Sequence, residues 1–567
     1  MKRVLFIVLA FVFTISMALA GCGGAKNENE TAATQTSENS TAPATPPDPA
    51  GKYEEPVTVT IAVSTNAATR FEAGDSYEDN VWTRAFKEDL NIDVKVIWTN
   101  LWSNFETKMN LAIASNQLPD ILTLPKYSQF DRLLKADKLE DLTPYYEDYS
   151  SPLMKENMMS DGGQALGWGR INGKLMGFPT GGINFQTARM TFIRKDWFDK
   201  TGLPEPKTLE DVLNIARAMK AQDPDNRFGI ALVKTVIGDT FCDVIGLANA
   251  VGAYPRMWLE DSGGKLIYGT LQPEMKKTLE IYADLFKNGL IDPAFASLDG
   301  TAVAEQLTSG KIGVIMGGSW IPGWPLNALW DNEGVDWNIY PILKSVDNPG
   351  PLKVQLAEPQ ASMVAIRKGY EHPEVLFKLI SYNVAKTLDP ATAEVLKFHS
   401  DPAKPDYAYH MQNPLYVYPS PVKYNFDTNI AVTNAIDKND TSYLKTPHDK
   451  LQYEGTKKWF DTLKAGTKPT GGDWAGFKTW YGPQSTFGIH NSYFASDSFL
   501  VSKLVGAETN EMVRQWANLK KLEEQYVTEI ISGVRPVGDF DKFIGEWRNL
   551  GGETVEYEVN DWYQSIK

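Results

Sequence analysis

The apolar pattern that follows the low-complexity amino-terminal stretch constrains the fold of this chain more than any other feature of the sequence. Residues 57–63 and 92–96 alternate in the manner of strands, and residues 81–90 between them carry large apolar side chains at helical spacing. A second helical stripe over 105–113 leads to another strand that begins near Ile121. Successive strand, helix and strand segments favour a parallel sheet, so the sequence predicts an α/β fold.

Length and charge limit the classes of protein to consider. About 510 residues follow Val57, more than one hydrophobic core usually organises, so we expect two lobes or more. The net charge of −15 argues against nucleic acid as a partner, because an acidic surface repels a phosphate backbone. No later apolar run approaches the roughly 20 residues of a spanning helix, so no membrane span is predicted in the body of the chain.

The first 22 residues have the organisation of an export signal. Lys2 and Arg3 precede a short apolar run, and small residues lead to Cys22. Residues 19–22 resemble the bacterial lipobox, which implies that residues 1–21 are a signal peptide and that Cys22 is acylated after cleavage. The alternative is an ordinary secretory signal followed by a chance cysteine.

The segment after Cys22 is predicted to be a tether. Residues 23–55 contain almost no large apolar side chain and cannot bury enough surface to offset the entropy of ordering. Once Cys22 is acylated, Cys242 is the one remaining cysteine, so no intramolecular disulfide is expected. The folded part must then rest on its hydrophobic cores.

Several helices are predicted from residues at their ends. Thr208 is placed to cap a helix that starts at the next residue. Pro273 occupies a first helical position, and Gly289 ends that run. Ser103 and Glu106 have the spacing of a capping box ahead of the 105–113 stripe.

Five segments, taken in order, resemble the family 1 extracellular solute-binding proteins. They are "FKEDLNIDVKVIW" (86–98), "NLAIASNQLPDIL" (110–122), "INGKLMGFP" (171–179), "FIRKDWFDKTGLPEPKTLEDV" (192–212) and "LTSGKIGVIMGGSW" (307–320). The closing stretch, 521–533 together with 540–563, resembles the long LipO-type branch of that family. The resemblance runs from the lipobox to the carboxyl terminus.

The resemblance implies a two-lobed, periplasmic-binding-protein-like (Venus flytrap) fold with discontinuous lobes and a hinge. The first lobe is expected from 57–185 with 345–430, and the second from 190–340 with 435–567. Function is implied as well: a lipid-anchored, monomeric receptor on the extracellular face of the cell membrane that closes on a carbohydrate, with an oligosaccharide as the expected form. It would deliver the sugar to an ABC permease. No catalysis and no cofactor are expected.

Ligand residues are expected on loops that follow strands and face the cleft. Trp320 is the first candidate, because it follows two glycines after an apolar strand and its family counterpart commonly stacks on sugar. Trp324 could extend that platform or pack against a helix. Asn66 follows the first strand and could bond a sugar hydroxyl or form a turn, and Thr123 occupies an equivalent loop.

Other candidates are aromatic or cationic. Trp168 lies between two glycines, and Trp480 and Tyr481 lie in an aromatic run, so each could be an exposed loop residue or part of a core. Arg70 and Arg189 would bind a carboxylate bidentately if the sugar is acidic. Their alternative role is to lie on the surface or to brace the lobes.

The loop near residue 225 is a weak candidate for a calcium site. Relatives that bind uronate oligosaccharides often carry an acidic calcium loop here, and this chain offers Asp223, Asp225 and Asn226. Calcium takes six to eight oxygen ligands, and these residues supply too few without a later carboxylate. A plain turn is therefore the expectation, and no metal is predicted.

Two other classes of function remain open. The sequence lacks the short motifs of serine hydrolases, zinc peptidases and P-loop enzymes. A surface glycoside-processing enzyme needs only two facing carboxylates, which a chain with 71 acidic residues could supply. A surface adhesin or chaperone without a small ligand is the third class.

Overall fold

A computed structural model describes residues 47–566, apart from 67–68, 181–183, 358–361, 402–403, 405–406 and 505–507. The predictions for the signal peptide, for Cys22 and for most of the tether concern residues outside this described part. The described residues belong to one compact unit that begins at Pro47.

Fifteen strands are present in the described part of the chain. They are β1 (Val57–Thr65), β2 (Ile92–Leu101), β3 (Ile121–Leu124), β4 (Arg170–Ile171), β5 (Lys174–Leu175), β6 (Phe178–Pro179), β7 (Met190–Arg194), β8 (Phe228–Ile230), β9 (Trp258–Glu260), β10 (Leu266–Tyr268), β11 (Ile312–Gly317), β12 (Trp337–Pro341), β13 (Val354–Gln355), β14 (Met363–Ile366) and β15 (Phe499–Leu500).

Helices fill most of the remaining sequence. They are α1 (Val81–Ala85), α2 (Trp102–Ser115), α3 (Tyr127–Lys135), α4 (Thr143–Tyr149), α5 (Pro152–Met159), α6 (Gln164–Trp168), α7 (Lys195–Thr201), α8 (Leu209–Ala221), α9 (Ile245–Val251), α10 (Pro273–Lys287), α11 (Gly300–Thr308), α12 (Leu326–Glu333), α13 (Val375–Thr387), α14 (Val395–Phe398), α15 (Tyr424–Asp437), α16 (Pro447–Lys464), α17 (Gly471–Trp480), α18 (Thr486–Ala495), α19 (Asn510–Ile531), α20 (Phe540–Trp547) and α21 (Glu553–Ile566).

The predicted start of the fold is confirmed. Strand β1 pairs in parallel with β2 and with β3, and α1 and α2 lie between these strands in sequence. Thr208 caps α8 in a capping box with Asp211, and Pro273 is the first residue of α10. The capping box predicted for α2 is wrong: the helix begins at Trp102, and its N-cap position, Leu101, has no side chain that could cap it.

The first sheet, sheet 1, has the order β2-β1-β3-β14-β6. Strand β14 runs antiparallel to both of its neighbours, and its first residue, Met363, pairs with Leu124 of β3 and with Pro179 of β6. Because β1 and β2 run parallel to β3, their carboxyl ends lie at the same edge as Leu124.

The second sheet, sheet 2, has the order β12-β7-β11-β8. Here Met190, the first residue of β7, pairs with Gly317 at the end of β11 and with Pro341 at the end of β12. Strand β8 is parallel to β11, so its carboxyl end lies at this edge too.

Two large hydrophobic cores are built around these sheets. Core 1 contains buried residues from 57–178 and 363–417, and core 2 contains buried residues from 188–356 and 459–563. Val354 and Leu356 pack in core 2, although the predicted lobe boundaries assign them to the first lobe. Strand β13 accordingly pairs with β15, far along the chain.

The chain passes between the cores in three places. The first crossing, residues 180–189, joins β6 to β7, and the second crossing, residues 357–362, leads into β14. Thr180 and Ser362 are joined by hydrogen bonds of 2.9 Å between backbones and 2.8 Å between hydroxyls. The Ala357 amide donates to the Thr187 hydroxyl at 2.9 Å, so the two crossings are linked at two points.

The third crossing, residues 418–425, leads from core 1 to α15. Val417 is buried in core 1, whereas Phe426 packs edge-on against Phe185 with their rings 5.3 Å apart. The first crossing leads from Pro179 at the edge of sheet 1 to Met190 at the edge of sheet 2. The second crossing ends at Met363, which pairs with Pro179. The carboxyl ends of β1, β2, β3, β8 and β11 therefore border the zone between the two cores, where ligands of open α/β sheets bind.

Candidate functional site

A stacked pair of tryptophans follows the carboxyl end of β11. The rings of Trp320 and Trp324 lie 5.9 Å apart at an angle of 28°, close to parallel. Trp324 is 44% exposed, and Trp320 is half-buried against core 2. The pair is an aromatic surface that follows the edge of sheet 2 and is available to a ligand on its exposed side.

Phe241 supports the tryptophan pair from below. Its buried ring lies 5.7 Å from Trp320 and 5.4 Å from Trp324, and its backbone bridges to Gly317. Because Phe241 belongs to core 2, the platform is held by the packed interior rather than by a loose surface loop.

Gly318 allows the platform to approach the first crossing. Its amide donates to the Thr240 carbonyl at 3.0 Å, and the next amide, of Ser319, donates to the Gln186 carbonyl at 3.2 Å. A Cβ on Gly318 would lie 2.8 Å from both the Gln186 oxygen and the Trp320 Nε1 atom. Only a glycine leaves this space open.

A cavity of about 260 Å³ adjoins the platform at Gln186. We call it the histidine–tyrosine cavity, and its lining residues are Gln186, Thr387, Leu388, Val395, His399, His410, Tyr416, Tyr418, Ser420, Tyr424, Asn425, His448 and Leu451. These residues come from the first and third crossings, from the part of the chain packed on core 1 and from the helices α15 and α16, so the cavity lies where core 1 meets α15 and α16.

Aromatic contacts form the walls of this cavity. His399 and His410 stack with their rings 4.4 Å apart, and Tyr424 stacks on His448 at 4.8 Å. His448 also meets the edge of Trp480 at 5.2 Å. The predicted residue Trp480 thus lies behind a cavity residue, and its own ring stacks on Phe487.

The cavity histidines are neutral at pH 7. Burial lowers the pKa of His399 to about 3 and that of His448 to about 4, and it also lowers the pKa of His410. A neutral imidazole offers one donor and one acceptor, as a hydroxyl does, and it suits hydrogen bonds to uncharged polar groups.

Arg189 is a bracing residue in this structure. It is 1% exposed, and its guanidinium donates to Asp243 at 2.7 Å and to the carbonyls of Thr187 and Asp239. Burial raises the pKa of the Asp243 carboxyl, and the charge of Arg189 opposes that rise. The alternative that Arg189 braces the fold therefore applies.

Two other predicted positions differ from expectation. Trp168 is 9% exposed at the end of α6 and packs in core 1, so the prediction of an exposed loop is wrong. Thr123 lies within β3, paired with Val364, rather than on a loop, because the strand continues to Leu124.

Asn66 and Arg70 lie just beyond the end of β1, at the edge of sheet 1, and both are exposed. The Asn66 carbonyl accepts the Thr69 amide in a turn, and the Arg70 carbonyl accepts from Gln412 at 2.8 Å. Their position after β1 is the predicted one, and their role in ligand binding stays a prediction.

One exposed aromatic residue at this edge escaped prediction. Trp102 follows Leu101, which pairs with Thr65 at the end of β1, and it is 63% exposed. The sequence signal for this residue is a tryptophan that stands a few residues after the alternating run over 92–96.

Tyr481 lies away from the cavity walls. Its hydroxyl donates to Asp437 at 2.6 Å, a hydrogen bond that, with burial, raises the pKa of Tyr481 to about 12. Its ring packs against Phe460 and Phe477. These contacts explain its position without a ligand.

The candidate calcium loop is a turn. Asn226 donates to Asp223 at 3.0 Å, and Arg227 lies 3.9 Å from the same carboxylate. Among the described residues no group of three or more histidine, cysteine or acidic side chains could hold a metal ion.

A second cavity, of about 500 Å³, lies at the opposite end of β1. Pro56, Thr58, Arg367 and Tyr370 line it, and Arg367 pairs with Asp120 at 2.6 Å. Because this cavity lies at the amino-terminal end of β1, it does not border the crossings.

In the stretches that the structure describes, no helix is long and apolar enough to span a bilayer.

Sequence comparisons identify related proteins over most of the chain. A family model described as bacterial extracellular solute-binding protein matches residues 67–384, more than half of the 567 residues. Lipoprotein LipO of Bacillus subtilis is 22% identical over 515 residues, which are 85% of this chain and 89% of the relative.

Two further relatives match over shorter spans. The polygalacturonan/rhamnogalacturonan-binding protein YtcQ of Bacillus subtilis is 29% identical over 222 residues, 37% of this chain and 41% of the relative. The fructooligosaccharide ABC transporter substrate-binding protein FusA of Streptococcus pneumoniae is 27% identical over 267 residues, 44% of this chain and 47% of the relative.

Solved structures share the fold. An extracellular solute-binding protein from Bifidobacterium longum subsp. infantis superimposes with a TM-score of 0.64 at 15% identity, over 90% of this chain and 98% of that chain. FusA of S. pneumoniae in complex with kestose gives 0.62 at 14% identity, over 90% and 99%. The chain therefore has the predicted two-lobed α/β fold.

Proposed function

The chain belongs to the bacterial extracellular solute-binding proteins, and from this premise we propose that it captures an oligosaccharide between its two cores and delivers it to an ABC permease. The ligand is held at the carboxyl ends of the strands, where both sheet edges meet the crossings. Neither chemistry nor a cofactor is required for this task.

The stacked pair Trp320 and Trp324 is the observation that carries the proposal. Sugar rings have one face rich in C–H groups, and flat aromatic rings bind such faces by excluding water. The pair is open to solvent on one side and braced by Phe241 on the other. A rigid aromatic surface between two cores suits a sugar better than it suits a charged metabolite.

The relatives support the same class of ligand. FusA is described as a fructooligosaccharide ABC transporter substrate-binding protein, and YtcQ as a binder of polygalacturonan and rhamnogalacturonan. Both ligands are carbohydrates, although one is neutral and the other is acidic. The identity levels leave the choice of sugar to the residues of this chain.

Binding without hydrolysis is favoured over a surface glycoside-processing enzyme. Hydrolysis of a glycosidic bond needs two carboxyl groups on opposite sides of the bond. Among the described residues that line the histidine–tyrosine cavity, none is aspartate or glutamate. The braced aromatic pair also distinguishes the protein from an adhesin or chaperone without a small ligand.

Closure of the two cores is the proposed signal to the permease. Relative motion of two lobes about their crossings shields the sugar from water and changes the shape that a membrane partner meets. We propose lobes near the predicted boundaries, with the second crossing beginning at about residue 357. Acylation of Cys22 and the 23–55 tether would keep a monomeric receptor beside its permease on the outer face of the membrane.

The full chain should gain thermal stability from one or more oligosaccharides and should return them unchanged. A ligand at 100 times its Kd stabilises the folded state by about 2.7 kcal/mol. The panel consists of kestose, nystose, raffinose, maltotriose, xylotriose and trigalacturonate, with melting temperature and chromatography as the two measurements. Cleaved product, or no shift with any sugar, would contradict the proposal.

Trp324→Ala tests the platform directly. Because Trp324 is 44% exposed, its loss should weaken sugar binding about tenfold or more while the melting temperature without sugar stays nearly unchanged. Tyr557→Ala removes an exposed aromatic ring from α21 and serves as the matched control. Equal affinities for the two variants would place the sugar elsewhere.

A further inference from the structure

Resting on the proposed function, we infer that the histidine–tyrosine cavity is a subsite for one uncharged sugar ring. The ligand is then a neutral oligosaccharide rather than a uronate. The platform of Trp320 and Trp324 would carry the neighbouring part of the ligand, on the other side of Gln186.

The dimensions of the cavity favour a single ring. Binding pockets for whole drug-sized ligands measure about 300 to 1,000 Å³. At about 260 Å³ the histidine–tyrosine cavity falls below that range, so it can take only part of an oligosaccharide. The cavity is lined by Gln186, whose carbonyl accepts the Ser319 amide beside the platform. The remaining sugar units can therefore continue from the cavity toward the platform.

The lining of the cavity selects against charge. Its described lining residues are aromatic, aliphatic or neutral polar, and none is arginine, lysine, aspartate or glutamate. A carboxylate placed here would lose its hydration without gaining a cation, which is costly.

The polar groups that are present match hydroxyls. Tyr416, Tyr424 and Asn425 offer donors and acceptors of moderate strength at the cavity wall. The buried Nε2 atom of His448 has no hydrogen-bond partner, although a buried polar atom of this kind usually has one.

Arg189, the buried arginine that follows Gln186 in the sequence, is already engaged. Arg189 lies three residues from Gln186, but its guanidinium is 1% exposed and is neutralised by Asp243. It therefore does not supply the bidentate carboxylate contact that an acidic sugar needs. The low pKa values of His399 and His448 agree with this electrically neutral surface.

Isothermal titration of the full chain with the same panel tests the charge preference. At least one neutral trisaccharide should bind, and trigalacturonate should bind at least about 100-fold more weakly, the equivalent of burying an unpaired carboxylate. Equal or tighter binding of trigalacturonate would overturn the inference while leaving the proposed function intact. Binding of no sugar in the panel would overturn both.

Variants at the cavity wall locate the subsite. Tyr416 is 58% exposed, so Tyr416→Ala should fold normally and should weaken neutral sugar binding about tenfold through loss of one ring contact. Asn425→Arg places a cation in the wall and should strengthen trigalacturonate binding about tenfold. Asn434→Arg, on the same helix but outside the lining, is the matched control and should not.

The outcomes separate the cavity from the platform. If Tyr416→Ala and Asn425→Arg both leave every affinity unchanged while Trp324→Ala still weakens binding, the cavity is not a subsite and the inference fails. If Asn425→Arg and Asn434→Arg act alike, the effect is one of overall charge, and the inference fails as well. Melting temperatures of all variants show that the comparison is made between folded proteins.

Discussion

His490 makes the stability of this protein depend on pH. The residue is fully buried on α18 among the rings of Phe426, Phe487 and Phe499, and its Nε2 atom lies 3.5 Å from the Ala188 carbonyl of the first crossing. Burial lowers the pKa of His490 from an ordinary 6.5 to about 3. The imidazole is therefore neutral in the folded protein at any pH above that value.

The sign of the effect follows from the lowered pKa. Between pH 6.5 and about 3 the unfolded chain binds a proton that the folded protein does not, so the free energy of unfolding falls as the pH falls through this window. Between pH 7.5 and pH 5 the loss from this one histidine is about 2 kcal/mol, since each unit of pKa difference is worth about 1.4 kcal/mol.

His490→Phe removes the titration and retains an aromatic ring in an aromatic site. Differential scanning calorimetry at several pH values should show that wild type loses a few degrees more than the variant between pH 7.5 and pH 5. Parallel pH profiles for wild type and His490→Phe would refute this reasoning.

Three further changes have defined outcomes. Gly318→Ala should lower sugar affinity about tenfold and cost about 1–3 kcal/mol of stability, because its Cβ would lie 2.8 Å from two atoms. Gly323→Ala is the control: a Cβ there meets open space, so titration and melting experiments should show no change. Asp243→Asn should destabilise the protein by about 3–5 kcal/mol in urea unfolding, because Arg189 is left charged and buried; an unchanged midpoint would contradict its bracing role. Trp102→Ala should weaken sugar binding in calorimetry without lowering the melting temperature, and unchanged affinity would remove Trp102 from the site.

Local sequence is sufficient for the parts of the fold that depend on neighbouring residues. The alternating runs predict β1 and β2, because a strand with one buried face leaves a period of two in the sequence. Thr208 predicts the start of α8, because its side chain satisfies an amide only three residues away. Trp320 is predicted at the end of a strand because the apolar run before it is short and ends in glycines.

Sequence reasoning fails where distant contacts decide the environment. Trp168 lies between two glycines, a pattern that suggests an exposed turn. Gly169 is needed for a different reason, because a Cβ there would lie 1.8 Å from the Gly177 carbonyl. Close packing, rather than exposure, requires that glycine. His399 and His448 are 49 positions apart in sequence, and only the third crossing and α16 bring them to one cavity.

The hydrogen bonds between the first two crossings limit how the cores can move. Thr180 is fastened to Ser362 near core 1, and Thr187 is fastened to Ala357 near core 2. Two crossings that are linked at two points cannot slide past each other unless one of these links breaks. If the cores close as proposed, these links keep the first and second crossings in step, so both cores move about the same pair of crossings.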